Sequence, residues 1–321
     1  MTNSFLKLIR FPNLLIIAFT QYMVRWCLLF PILKAKGVEL QMSNLYFFLL
    51  VISTVMIAAA GYIINDYFDG KIDRINKPDA VVVGTKIKRR VAMAAHAILN
   101  ILGIAIGLFV SYKIGDYRLG FIFIFCAGGL WFYSTTFKYQ FFIGNFIVAL
   151  FTACIPLMAG GYELLMDFKK YIPQGIQLAD FKDVWHWILG LSAFAFITTF
   201  LREIIKDMED IKGDKEYGCN TIPIAWGINA AKTISLLILL FCMLAIGYIQ
   251  KMQHISNDYF SFYYFLIALQ IPFLFLGFKL LFAKEKKQFH YLGNVLKLIM
   301  LLGISYLFVF CFILLSAVNA N

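Results

Sequence analysis

The chain has 321 residues, 61% of them apolar and 15% charged, with a formal net charge of +11 and a mean hydropathy of +0.78. So little polar surface excludes an ordinary soluble domain and requires a chain that crosses a membrane several times. The basic excess does not point to nucleic acid, because Lys and Arg fall in short segments between apolar runs, which is the pattern of a topology signal.

A bilayer needs about 20 apolar residues per crossing. Nine such runs occur, near 11–31, 44–64, 91–111, 119–137, 142–161, 186–204, 230–250, 260–282 and 293–317. Backbone groups in lipid must be satisfied internally, so the runs are helices; they lack the two-residue alternation of barrel strands. The predicted fold is all-α, a polytopic bundle of nine transmembrane helices, with residues 1–321 as one domain.

Lys7 and Arg10 precede the first run as they would in a signal peptide. No small-residue cleavage site follows, and Arg25 and Trp26 interrupt the apolar core, so the run reads as a retained span. Arg25 is either functional or a snorkelling side chain at the far interface. With the N-terminus inside, the inner segments (the N-terminus, 65–90, 138–141, 202–232 and 279–297) hold 20 basic residues and the outer loops eight. That asymmetry predicts a multi-pass protein of the cell membrane, N-terminus in and C-terminus out. Three long loops are expected at 65–90, 205–229 and 162–185; the last is outer, polar and featureless. The six cysteines form no Cys-x-x-Cys pair and read as reduced thiols rather than a zinc site.

One pattern occurs twice. Asp66, Asp69 and Asp73 stand at i, i+3 and i+7, as do Asp207, Asp210 and Asp214, every pair being offset by 141 positions. Asn65 joins the first copy at i, i+4 from Asp69. On a helix each trio spans roughly 60° of one face, so each copy can aim three carboxylates one way. The bland alternative is solvated loop charge. Against it stand the repeated spacing and the cost of carboxylates at a bilayer edge without partners. Carboxylates with water and phosphate oxygens suit Mg²⁺, which binds through few protein ligands. Both copies then face the cytoplasm, beside loops carrying Lys71, Arg74, Lys77, Lys206, Lys212 and Lys215.

The pair Asn65-Asp66-x-x-Asp69-x-x-x-Asp73 and Asp207-x-x-Asp210-x-x-x-Asp214 resembles the UbiA superfamily of intramembrane prenyltransferases, over nearly the whole chain. The resemblance implies a prenyl diphosphate held through Mg²⁺ between the two motifs, its tail in a lipid-open cavity and its allylic carbon passed to an acceptor. Arg202-Glu203-Ile204-Ile205-Lys206-Asp207 through Asp214, then Gly218, Thr221 and Pro223, is similar to the geranylgeranylglyceryl phosphate geranylgeranyltransferase branch. Arg10-Phe11-Pro12-Asn13 resembles the family's first-span entry, where an Asn contributes to the site. Tyr133-Ser134, Lys138 and Gly144-Asn145 resemble its fourth-to-fifth-span turn, whose Lys can meet the diphosphate. After Asn76-x-Pro78 the chain departs, with Ala80 where many relatives have a basic residue; Lys77 or Lys86 could substitute.

The expected site follows. Metal ligands are Asn65, Asp66, Asp69, Asp73, Asp207, Asp210 and Asp214, with Asp66, Asp69, Asp207 and Asp210 central to catalysis. Substrate contacts are Asn13, Asn65, Arg74, Lys77, Tyr133, Lys138 and Arg202. Tyr67 and Tyr133 are candidates to face the allylic cation, and Glu203 reads equally as a base or an ion-pair partner. The expected reaction is transfer from a prenyl diphosphate, geranylgeranyl diphosphate by the branch resemblance, to a membrane-associated acceptor, geranylgeranylglyceryl phosphate. An aromatic acceptor is the alternative, and a cation transporter a distant one; a CDP-alcohol phosphotransferase signature is not met, because Asp73 stands where that signature has Ala.

Overall fold

The computed structural model describes residues 2–175, 177 and 181–320. Residues 176 and 178–180 of the expected outer loop lie outside the described residues. Among the described residues nine helices are long and apolar enough to cross a membrane. Here called spans 1 to 9, they are Phe11–Ala35, Asn44–Asn76, Arg89–Lys113, Tyr117–Thr135, Ile143–Gln174, Lys182–Glu216, Ile228–Ile255, Tyr259–Phe282 and Lys286–Ala317. The protein is an all-α, multi-pass integral membrane protein.

The apolar runs located every span but misjudged several ends. Span 2 continues to Asn76 and span 6 to Glu216, so both acidic copies lie on helix rather than in the long loops expected at 65–90 and 205–229. Span 5 runs through residues 162–171 before a short 3₁₀ turn, Ile172–Gln174, so the expected outer loop is shorter than 162–185. In each case the helix outlasts its apolar run, since polar residues continue a helix once burial supports one face.

Successive spans reverse direction, which gathers the N-terminal helix Thr2–Leu8 and the connections 77–88, 136–142, 217–227 and 283–285 at one end, the site end. A small apolar cluster of Leu8, Ile63, Val82, Val83, Ile87 and Ala92 holds the 77–88 connection down on spans 2 and 3. Large side chains exposed along the flanks, such as Phe125, Leu244, Phe260 and Phe312, are those that meet lipid.

The opposite end holds a correction to the sequence reading. Arg25 does not snorkel: it is 2% exposed and lies 3.7 Å from Glu163, which is fully buried. Its guanidinium donates to the Met42 carbonyl, while the Met42 amide donates to Glu163 at 2.7 Å. Asp167, one turn from Glu163, is buried beside them. The segment expected to be featureless thus ties span 5 to span 1 and to the 36–43 connection. A π-helical stretch, Val24–Leu29, presents Arg25 to this cluster.

Candidate active site

Both acidic faces line one cavity of about 360 Å³ at the site end. The i, i+3, i+7 spacing puts each trio on one side of its helix. Each copy is met by side chains from other elements. The Arg10 guanidinium donates to Asp66 at 2.9 Å. Lys138 donates to Asp69, and the Asn145 amide donates to Asp207 at 2.8 Å. Lys77 reaches Asp210 at 2.9 Å and Glu209 at 3.3 Å, with His290 3.1 Å from Glu209. Asp73 and Asp214 line the same cavity, with Lys206 as an electrostatic neighbour of both.

Local backbone explains how these groups arrive. Arg10 precedes span 1 with φ of +50°, a left-handed conformation that non-glycine residues seldom adopt. Gly144 opens span 5 against Lys138; a Cβ there would stand 2.9 Å from the Lys138 Cα. Gly213 on span 6 leaves room for Asn76, whose side chain a Cβ would meet at 2.6 Å and whose Oδ1 accepts from the Gly213 amide at 2.9 Å. Lys286, at the head of span 9, donates to the Asn76 carbonyl. The ends of spans 2, 6 and 9 are therefore fastened together around Asn76.

Most of the expected residues meet. Asn13, Asn65, Asp66, Asp69, Asp73, Lys77, Tyr133, Lys138, Arg202, Asp207, Asp210 and Asp214 all line the cavity. Arg74 does not: it is exposed, because one residue beyond Asp73 is about 100° round the helix from the acidic face. Tyr67, one residue beyond Asp66, is turned away likewise, its ring 4.1 Å from the Arg89 guanidinium. Lys86 is exposed and absent from the lining. Near Ala80 the basic groups are Lys77 and Lys7, the latter 3.5 Å from the Asp79 carbonyl.

Sequence reasoning missed Glu209, His290, Lys286 and Lys297, and did not place Arg10 or Asn145 in the site. Arg10 and Asn145 stood within the quoted motifs, and Lys297 is a lone lysine inside the apolar run of span 9, a position where charge is costly and usually functional. His290 and Lys286 carry no such mark. Glu203 is resolved as an ion-pair partner, 2.7 Å from Arg202 and 3.7 Å from Lys206.

Eight carboxylates and seven Lys or Arg side chains line the cavity, leaving one negative charge in excess. Among the described residues no three His, Cys, Asp or Glu side chains converge into a ready-made metal cluster; the aspartates engage Arg10, Lys138, Asn145 and Lys77 instead. Asp210 Oδ1 is nevertheless buried without a hydrogen bond. An all-oxygen set of this kind fits Mg²⁺, which takes one or two carboxylates and completes its shell with water and phosphate oxygens. Burial pushes the Cys219 thiol up to about 12, with Asp214 and Asp69 adding to it, so this cavity residue is a neutral thiol and not a nucleophile.

The UbiA prenyltransferase family model matches residues 26–301. The chain belongs to the UbiA prenyltransferase family. It is 30% identical over 265 residues to digeranylgeranylglyceryl phosphate synthase of Methanocaldococcus jannaschii, covering 82% of each chain. A solved structure concerned with digeranylgeranylglyceryl phosphate synthase in membranes superposes with a TM-score of 0.58 at 25% identity, covering 97% of this chain and 98% of the other. A UbiA homolog from Archaeoglobus fulgidus bound to DMAPP and Mg²⁺ shares the fold, with a TM-score of 0.52 and 16% identity over 95% and 99%. This UbiA chain is a prenyltransferase, and its paired acidic faces are the feature around which the site is built.

Proposed function

We propose that the protein transfers a geranylgeranyl group from its diphosphate to the free hydroxyl of geranylgeranylglyceryl phosphate, with Mg²⁺ between the two acidic copies and the site facing the cytoplasm of a cell-membrane protein. The observation that carries this reading is the cavity's charge pattern: two three-aspartate faces opposed across a space that also holds seven cations. A prenyl diphosphate brings about three negative charges at neutral pH. With the cavity's own excess of one, two divalent ions would offset the donor before the acceptor enters. Asn65, Asp66, Asp69 and Asp73 would hold metal on span 2, and Asp207, Asp210 and Asp214 on span 6. Bound there, Mg²⁺ supplies charge neutralisation of the diphosphate as it departs.

The remaining work falls to the chain. The C–O bond between the allylic carbon and the diphosphate breaks with its electron pair going to the phosphate. A new C–O bond forms from the acceptor hydroxyl, whose proton passes to a diphosphate oxygen. Lys138 and Lys77, already hydrogen-bonded to Asp69 and Asp210, are preorganised cations for the leaving group. Tyr133 and Tyr139 line the cavity and offer ring faces to the allylic cation, at roughly 0.5–2 kcal/mol per ring. Glu203 is already engaged by Arg202 and Lys206, which leaves the acceptor proton to the diphosphate.

A phosphorylated acceptor fits the lining better than an aromatic one, since Lys297 and the Arg202 Nε are donors there that no group among the described residues uses. The relative from Methanocaldococcus jannaschii carries a name that implies the same acceptor. The basic excess on the segments at the site end supports a cytoplasmic site. The test is product analysis with purified protein, Mg²⁺, prenyl diphosphates of several lengths, and glyceryl phosphate or aromatic acceptors. A diether phosphate is expected as the favoured product; prenylation of only the aromatic acceptors would overturn the reading.

A further inference from the structure

The cavity is not uniform in depth. Span 6 enters the site end with its C-terminus, so Arg202 stands five residues deeper in the bundle than Asp207, about 7.5 Å along the axis. Span 9 begins at the site end, so Lys297 stands seven residues deeper than His290, about 10.5 Å. Counted from the Asn76–Gly213–Lys286 junction, Asp69, Asp73, Asp207, Asp210 and Asp214 lie within about 10.5 Å along their helices and, with Lys77 and Lys138, form a shallow layer. Arg202 and Lys297 lie about 16.5 Å in, on spans 6 and 9, near the depth of Asp66, which Arg10 engages.

This deeper layer is short of negative charge. The electrostatic neighbours of Lys297 are Arg202, Arg10 and Lys206, with Glu203 the acid among them. Glu203 is already held by Arg202 and Lys206, and Arg10 is committed to Asp66. Lys297 makes no hydrogen bond or ion pair among the described residues, and the Arg202 Nε is buried without a partner. Two neighbouring cations with unused donors, lining one cavity inside a membrane bundle, are costly without an anion beside them.

The reaction requires such an anion site. When the acceptor is itself a phosphate monoester, two phosphate groups approach within one cavity, and like charges in a low-dielectric space repel strongly. Cations already engaged with the diphosphate cannot serve both. We infer that Lys297 and Arg202 form a second anion subsite that binds the phosphate of the acceptor, apart from the Mg²⁺–diphosphate layer. The acceptor hydroxyl is then presented from the deeper side, toward the allylic carbon. The inference rests on the phosphorylated acceptor proposed above, and it makes Arg202, a substrate contact in the sequence reading, a contact of the acceptor.

Steady-state kinetics on the full-length protein, with Mg²⁺ and saturating donor, test this. The wild type should show a KM for geranylgeranylglyceryl phosphate at least about tenfold below that for the dephosphorylated alcohol, the effect of losing one charge-assisted contact. Lys297→Met should raise the KM for the phosphorylated acceptor by about tenfold or more, leave the donor KM within about twofold, and abolish discrimination between the two acceptors. Lys297→Arg should keep the discrimination. A rise in donor KM instead, or unchanged acceptor KM in Lys297→Met, overturns the subsite. Equal wild-type KM values for the two acceptors overturn it without recourse to any variant. If the wild type prenylates no glyceryl acceptor at all, it is the parent reading that has failed.

Discussion

Asp69 and Asp210 occupy equivalent places in the two acidic copies, and each is met by a lysine, Lys138 and Lys77. Their carboxylates are the groups whose loss should be felt most directly. Asp69→Asn or Asp210→Asn keeps the shape and removes a charge that the proposed metal binding would use. Each should lower kcat/KM by about two orders of magnitude or more, the scale of removing a preorganised electrostatic group, while thermal unfolding of the solubilised protein shifts little. Full activity in either variant would remove the residue from the site. Cys219 makes the opposite prediction. It lines the cavity, yet the residue is 6% exposed and burial pushes its thiol up to about 12, so at pH 8 it is almost wholly protonated. Iodoacetamide should label it far more slowly than free cysteine, as read by mass spectrometry, and Cys219→Ser should retain activity. At this scale the sequence was legible where spacing carried the signal. The aspartates announce themselves by repetition, whereas His290 and Lys286 reach the site only through the packing of span 9.

At the scale of the helix, the site depends on ends that fasten to one another. Asn76 closes span 2, accepts from the Gly213 amide, and has its carbonyl held by Lys286. Gly213→Ala would place a methyl 2.6 Å from the Asn76 amide nitrogen, so the Asn76 side chain must move and its bond to the Gly213 amide is disturbed. The expected result is a several-fold loss of kcat/KM with the acidic residues all present, and a partial return of activity when Asn76→Ala makes room. Apolar periodicity could not reveal this junction, because 137 residues separate its partners and the helix ends are polar. The same limit explains why hydropathy stopped spans 2 and 6 short of their true ends. Hydropathy marks where a helix enters lipid, and the acidic faces lie where it has already left.

Across the whole molecule, charge is concentrated at two ends with different roles. The site end pools fifteen Asp, Glu, Lys and Arg side chains around a cavity, where a substrate and metal can complete the balance. The opposite end buries Arg25 and Glu163 against each other. That pair is a structural tie rather than a second active centre. Glu163→Gln should leave buried Arg25 with only Asp167 beside it and destabilise the fold by about 3–5 kcal/mol, whereas replacing Arg25 and Glu163 with Met and Asp167 with Asn should recover most of the loss. The readout is the thermal midpoint in detergent, with donor KM unchanged in whatever folds. Sequence showed Arg25 and Glu163 as isolated charges in separate segments, and only the packing of span 5 against span 1 reveals that they compensate. Fold class and span number were legible because lipid dictates them, and the paired acidic faces because their spacing repeats. The place of Arg202 and Lys297 in the cavity depends on depth within the bundle, which no linear pattern encodes.

The central claim is that the two acidic faces act as one metal-dependent clamp on a prenyl diphosphate. The most direct measurement is diphosphate release from geranylgeranyl diphosphate by purified protein with acceptor present, titrated with Mg²⁺ after EDTA treatment. Release and prenylated product should fall to background in EDTA and return with Mg²⁺. Asp69→Asn and Asp210→Asn should each require a higher Mg²⁺ concentration for half-maximal release. Undiminished product formation without divalent metal, or a Mg²⁺ response that neither substitution alters, would contradict the account.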